Sequence, residues 1–135
     1  MRLPKIGDTV TTEYAKELCR HFGLDYLVQR LDAHREDYKS WVFDGASMIP
    51  DNLFSKLFKI PNLTEIALKH DLKYAYGASG DKREKLRADL EFALEVLMDG
   101  ASAEITKLMF AAVDVGGKEI LNTSFSWGFA RKKKK

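Results

Sequence analysis

A single cysteine, Cys19, stands among 135 residues. It cannot close an intramolecular disulfide, which excludes a small bridge-stapled secreted scaffold and makes a reducing compartment the expected setting. Its place on an apolar helical face predicts a buried, inert thiol. No apolar run approaches the roughly 18–20 residues of a membrane span. The opening Met1-Arg2-Leu3-Pro4-Lys5 has no apolar core behind its charges, unlike a secretory signal. The expectation is a chain that is cytoplasmic as synthesised, with delivery by a dedicated export machine or a phage route left open. No repeat period is visible. His21 and His34 lack partners at metal spacing, no Cys/His cluster exists for zinc, and no glycine-rich loop opens a helix for phosphate.

What is present describes one globular domain. The chain is 45% hydrophobic and 31% charged, and a chain of this length buries roughly two thirds of its unfolded surface. Its 22 basic and 20 acidic residues include five consecutive basic ones, Arg131 to Lys135, which leaves 17 against 20 elsewhere. The body is therefore mildly acidic and lacks the basic face of a nucleic-acid binder, so no nucleic-acid partner is expected. The division is a helical domain over residues 1–130 and a basic tail over residues 131–135.

The pattern is mainly α. Thr11 or Thr12 can cap a helix through Tyr14, Ala15, Leu18, Cys19 and Phe22, with Gly23 as its stop. Leu24, Leu27, Val28 and Leu31 recur at helical spacing. Trp41-Val42-Phe43 reads as a short extended run feeding a loop at Asp44-Gly45, and Asp51 as the cap of a short helix broken before Pro61. A longer helix is predicted from Leu63 to Tyr76. After the Gly77–Gly80 turn, Asp81 and Glu84 form a capping-box pair that opens a helix to Met98. Ile105, Leu108, Met109, Ala112 and Val113 mark another, stopped at Gly116-Gly117. The stretch from Ile120 to Phe129 reads as β-like. The fold class is thus a small single α domain on an antiparallel helix pair, with a short extended segment and a β-like C-terminal stretch.

The helix pair carries the chemistry. His70 and Tyr74 lie four residues apart and share a helix face, while Asp71 points about 100° round from His70. His70 therefore needs another carboxylate to fix its tautomer. Asp89, on the next helix and set among Leu86, Leu90 and Phe92, is costly to bury unless paired. A contact between them would yield a general base with its orienter. The loop at Asp44-Gly45 could bring carbonyls and a carboxylate to Asp71, the oxygen donors that calcium takes. The plainer readings are a structural His70, a solvated Asp71, a core Tyr74, and an exposed Lys85–Asp89 pair of little weight.

His70-Asp71-x-x-Tyr74, followed by Ala88-Asp89-x-x-Phe92, resembles the central helix pair of phospholipase A2-type enzymes, in the compact disulfide-free form of viral, phage and bacterial origin. Phe43-Asp44-Gly45-Ala46-Ser47-x-Ile49-Pro50 is similar to a loop upstream of such a helix in a phage-associated family of small domains. The resemblance spans about residues 41–95, some 40% of the chain. It implies a calcium-dependent hydrolase of the sn-2 ester of glycerophospholipids. By that resemblance His70 is the base that activates water, Asp89 orients it, and Tyr74 holds Asp89. By the same resemblance Asp71, with the carbonyls at Asp44-Gly45, would ligate calcium. The chain departs from the secreted enzymes in lacking their glycine- and cysteine-rich calcium loop, and it has Leu68 and Leu72 where half-cystines flank the His-Asp pair. The alternative is a non-catalytic phage or mobile-element domain that keeps the helix pair as a scaffold for a protein partner. For a toxin-type effector or phage-associated lipase, Phe125, Trp127 and Phe129 with the basic tail would meet a phospholipid membrane surface; otherwise the aromatics form a buried strand face.

Overall fold

The computed structural model describes residues 1–45 and 60–132. Among these, helices α1 (Thr12–His21), α2 (Asp25–His34), α3 (Leu63–Ala75), α4 (Lys82–Met98) and α5 (Ala103–Gly116) dominate. The predicted short helix after Asp51 falls outside the described residues. The protein is mainly α.

Local chemistry sets the helix ends. Thr11, not Thr12, caps α1, its hydroxyl accepting from the Tyr14 amide at 3.1 Å. Gly23 follows α1 at φ +72°, a left-handed turn that a side chain would strain. Asp81 caps α4 through the Glu84 amide at 3.0 Å. The reciprocal half of the expected capping box does not form. The Glu84 carboxylate instead receives both arms of the Arg30 guanidinium, at 2.7 and 2.8 Å, and so joins α4 to α2.

Helix α3 is the centre of the molecule. From Ile66 to Tyr76 every residue except Lys69 is buried, the mark of a helix covered on all sides. Leu68, Leu72 and Ala75 join Leu18, Leu27 and Leu31 of α1 and α2 in one apolar cluster, with Trp41 and Phe43. Ile66 joins Phe92, Val96, Met109 and Val113 of α4 and α5 in another. Each such buried side chain contributes on the order of 1.5–3 kcal/mol. Two ion pairs fix the register of α3 against α4: Lys69 with Glu95 and Lys73 with Glu91. Partner numbers fall as residue numbers rise, so the two helices run antiparallel, as the short turn predicts.

The extended run at Trp41–Val42 (β2) pairs antiparallel with Thr9–Val10 (β1), a partner that the sequence pattern did not single out. The Phe43 amide donates to the Asp8 carbonyl at 2.9 Å, and the Gly7 amide to the Phe43 carbonyl at 2.7 Å. Asp44 and Gly45 thus leave a pinned segment.

The C-terminal stretch is not β-like. A 3₁₀ turn, Glu119–Leu121, gives way to Asn122 at φ +51°, and successive turns run to Gly128 at φ +77°. These left-handed residues break any extended run. The segment instead straps the end of α3, where its amides satisfy carbonyls left open by the helix. Gly128 donates to the Tyr74 carbonyl at 2.7 Å and Ala130 to the Ala75 carbonyl at 3.2 Å. Trp127 is turned inward, edge-on to Tyr74 at 5.1 Å, with its indole N–H on the Ala78 carbonyl at 2.7 Å. It therefore cannot serve as an interfacial aromatic from this position. Phe129 packs edge-on to Trp41 at 5.2 Å. Arg131 belongs to the body and not to a tail, since its guanidinium binds Glu119 at 2.8 Å. Residues 133–135 lie outside the described residues. Among the described residues no helix is long and apolar enough to cross a membrane.

Candidate active site

The α3–α4 interface brings three of the sequence-selected residues together. His70 Nε2 lies 3.0 Å from Asp89 Oδ1, and the Tyr74 hydroxyl donates to the same oxygen at 2.6 Å. The other oxygen, Oδ2, accepts from Lys85 Nζ at 2.8 Å. His70 and Asp89 are 3% and 0% exposed, so these bonds form away from water, where an unpaired carboxylate would be prohibitive.

The Lys85–Asp89 pair and the His70–Asp89 pair were competing explanations of one carboxylate in the sequence. The fold uses both. Lys85 reaches inward from the preceding turn of α4, and only 13% of its side chain is exposed. Leu86 and Leu90, expected to surround Asp89, face outward at 46% and 52% exposure; its apolar neighbours are Ala88 and Phe92.

Electrostatics assign the protonation states. Burial pushes the Asp89 carboxyl up, but hydrogen bonds from His70, Lys85 and Tyr74 outweigh it and hold the group below its ordinary value. Asp89 is therefore ionised at neutral pH. Burial pulls His70 below its ordinary value, against the opposing pull of Asp89. A neutral imidazole facing a carboxylate must carry its proton on the facing nitrogen, Nε2. Nδ1 is left with its lone pair, and among the described residues no group donates to it. Burial, then the Asp89 charge, raises the Tyr74 hydroxyl far above the usual range, so it acts only as a neutral donor.

Packing holds this arrangement. The His70 ring lies between Tyr74 and Phe92, with centroids 4.3 and 4.6 Å away. The Tyr74 hydroxyl also approaches the Val113 carbonyl of α5 at 3.1 Å. Gly117 makes that approach possible, because a Cβ there would overlap the Tyr74 ring and hydroxyl. Gly77 has the same relation to the Trp127 indole. Neither glycine has a positive φ; the sequence marks them as helix stops, whereas their function here is to admit two aromatic rings.

Asp71 stands apart. It is 8% exposed, and no hydrogen bond reaches its carboxylate among the described residues. Burial first, and the charge of Asp44 second, push it well above the ordinary carboxyl value. Asp44 is exposed at the end of the pinned β2 segment, followed by Gly45 at φ +78°. A buried carboxylate with no donor among the described residues, acted on by the charge of a second carboxylate, is a donor set suited to a hard cation. The described residues contain no cluster of three or more His, Cys, Asp or Glu side chains, so further ligands would be carbonyls or water.

Elsewhere the expectations for inert groups agree with the geometry. Cys19 is fully buried, and burial raises its thiol to about 12. Compared with protein-family models, curated proteins and solved structures, the chain gives no match.

Proposed function

We propose that this protein is a phospholipase A2-like hydrolase that uses calcium to cleave glycerophospholipid esters at a phospholipid membrane surface. The observation that carries the reading is the buried His70–Asp89–Tyr74 group, with Nε2 engaged and Nδ1 left as the base. His70 Nδ1 takes the proton of a water as that water attacks the ester carbonyl. Asp89 fixes the tautomer and favours the imidazolium as it forms. Tyr74 and Lys85 hold the two oxygens of Asp89, so the carboxylate cannot rotate away from His70. The same imidazolium then returns its proton to the departing alcohol oxygen.

Asp71 and Asp44, with carbonyls at Asp44-Gly45, fit a calcium ion by the donor chemistry described above. When bound there, calcium supplies Lewis-acid polarisation of the ester carbonyl and charge stabilisation at its oxygen.

The test is fatty-acid release from phospholipid vesicles with and without calcium, for the wild type, His70→Ala and Asp89→Ala. Calcium-dependent release by the wild type, lost in both variants that remain folded, supports the reading. An inactive wild type in calcium, or two fully active variants, overturns it. The scaffold alternative has its own support in four outward leucines of α4, Leu86, Leu90, Leu94 and Leu97, each 44–56% exposed, which are a larger apolar row than a solvated helix needs. An inactive but folded wild type would favour that reading and a protein partner.

A further inference from the structure

Lined in part by Lys85, a cavity of about 630 Å³ opens to the surface between the N-terminal turn of α4 and the segment after α5. Its apolar wall is Leu86, Ile120 and Trp127, and its basic residues are Lys82, Lys85 and Lys118. Ile120 is 88% exposed and Leu86 46%, so these two leave apolar surface open to water, while the buried Trp127 offers only an edge.

The lining also contains three acids, which balance its three lysines in formal charge. The Asp81 carboxylate is used on the Glu84 amide as the cap of α4. Glu119 accepts from the Ser79 hydroxyl, the Gly80 amide and Arg131, all within 2.9 Å. Asp114 lies 3.8 Å from Lys85. Lys82 and Lys118 form no ion pair among the described residues, so two ammonium groups of the lining are free to bind an anion. Unpaired ammonium groups lining a cavity with an apolar wall match one kind of small molecule: an anionic head joined to a hydrocarbon chain.

We propose that this cavity binds a single-chain amphiphile with an anionic head, a fatty-acid carboxylate being the simplest. The head sits between Lys82 and Lys118, and the chain lies on Leu86, Ile120 and the edge of Trp127. In the proposed hydrolase the released fatty acid has this chemistry, which would make the cavity a product site. That link rests on the proposed function; the binding itself does not.

The experiment is calorimetric titration of the full chain, in calcium-free buffer with chelator, using decanoate below its micelle concentration. Acetate and decanol serve as the head-only and chain-only probes. The indole N–H of Trp127 is followed in amide-correlation spectra. The expected result is saturable decanoate binding that shifts the Trp127 signal, at least tenfold weaker for decanol and absent for acetate. Lys82→Ala/Lys118→Ala should weaken decanoate at least tenfold, and Ile120→Asp should do so independently, with both variants melting as the wild type does. Both sites are on the surface, so the fold should tolerate the changes. No saturable binding, equal affinity for decanol, or undiminished affinity in the double variant overturns the proposal. Since no ester is cleaved and no calcium is present, failure here is separate from failure of the hydrolase reading.

Discussion

Asp89 and Asp71 are both buried carboxylates of one helix pair, and the fold treats them in opposite ways. Asp89 accepts from an imidazole, a phenol and an ammonium, and those bonds overcome the cost of burial. Asp71 has no such bonds among the described residues and feels a second carboxylate, so burial works against its charge. One acid is finished by the protein alone. The other finds no donor among the described residues. Burial by itself says nothing about what a carboxylate does; the donors around it decide.

The largest expected effect comes from breaking the finished acid. Asp89→Asn retains the shape but removes the charge that holds His70, Tyr74 and Lys85. Truncating one member of a buried, hydrogen-bonded charge group costs about 3–5 kcal/mol, read in chemical denaturation. If the proposed hydrolase function holds, ester hydrolysis by the folded fraction should fall by about 10²–10⁴, as expected when a general base loses its orientation. A variant as stable as the wild type would show that Asp89 is solvated and not bound as described.

Next in size is the space that admits Tyr74 to Asp89. Gly117→Ala places a methyl group against the Tyr74 ring and the Val113 carbonyl. The backbone neighbour cannot yield, so overpacking should destabilise by about 1–3 kcal/mol. Tyr74→Phe tolerates more room but loses the bond to Asp89, so the double variant should cost less than the sum of the two. Strict additivity would break the claim that Gly117 serves Tyr74.

Lys85 tests the other oxygen. Lys85→Met removes a charged hydrogen bond worth about 2 kcal/mol at neutral pH while leaving the aliphatic stem. The sign of its pH dependence follows from Asp89, whose carboxyl is held below its ordinary value of 3.8. That depression stabilises the fold above the unfolded value and is lost as pH falls through the folded one. Without Lys85 the depression shrinks, so acid unfolding should begin at a higher pH. Unchanged acid unfolding would assign the depression to His70 and Tyr74 alone.

These residues also show what the sequence could reveal. His70, Tyr74 and Asp89 were legible because helical spacing and a short turn leave few ways to place them. The α helices were legible for the same reason, through caps at Thr11 and Asp81 and apolar periodicity. The inward reach of Lys85 was not, because a four-residue spacing from Asp89 describes an exposed pair equally well, and burial is set by α5. Glu84 looked like half of a capping box because its partner, Arg30, is 54 residues away. The C-terminal stretch looked extended because Phe125, Trp127 and Phe129 alternate. Its path is instead set by Asn122, Gly128 and the open carbonyls at the end of α3, which are tertiary facts.

The smallest effect expected has the opposite sign and bears on the unfinished acid. Asp71→Asn removes a buried carboxylate that no donor among the described residues satisfies. Without calcium it should stabilise the protein by about 1 kcal/mol, the low end of the range for a buried unpaired polar group, and raise the melting temperature by a few degrees. The gain should vanish in acid. Because Asp71 is raised above its unfolded value, the wild type carries no penalty where the carboxyl is protonated and acquires it as pH rises toward the folded value. Calcium should reverse the order. A cation between Asp71 and Asp44 stabilises the ionised wild type and raises its melting temperature, while Asp71→Asn lacks the charge to respond. The crossing of the two melting curves with calcium is the measurement. If Asp71→Asn gains as much from calcium as the wild type, the cation binds elsewhere and Asp71 is simply a buried acid. If Asp71→Asn is destabilised without calcium, donors do satisfy Asp71, and the contrast with Asp89 fails.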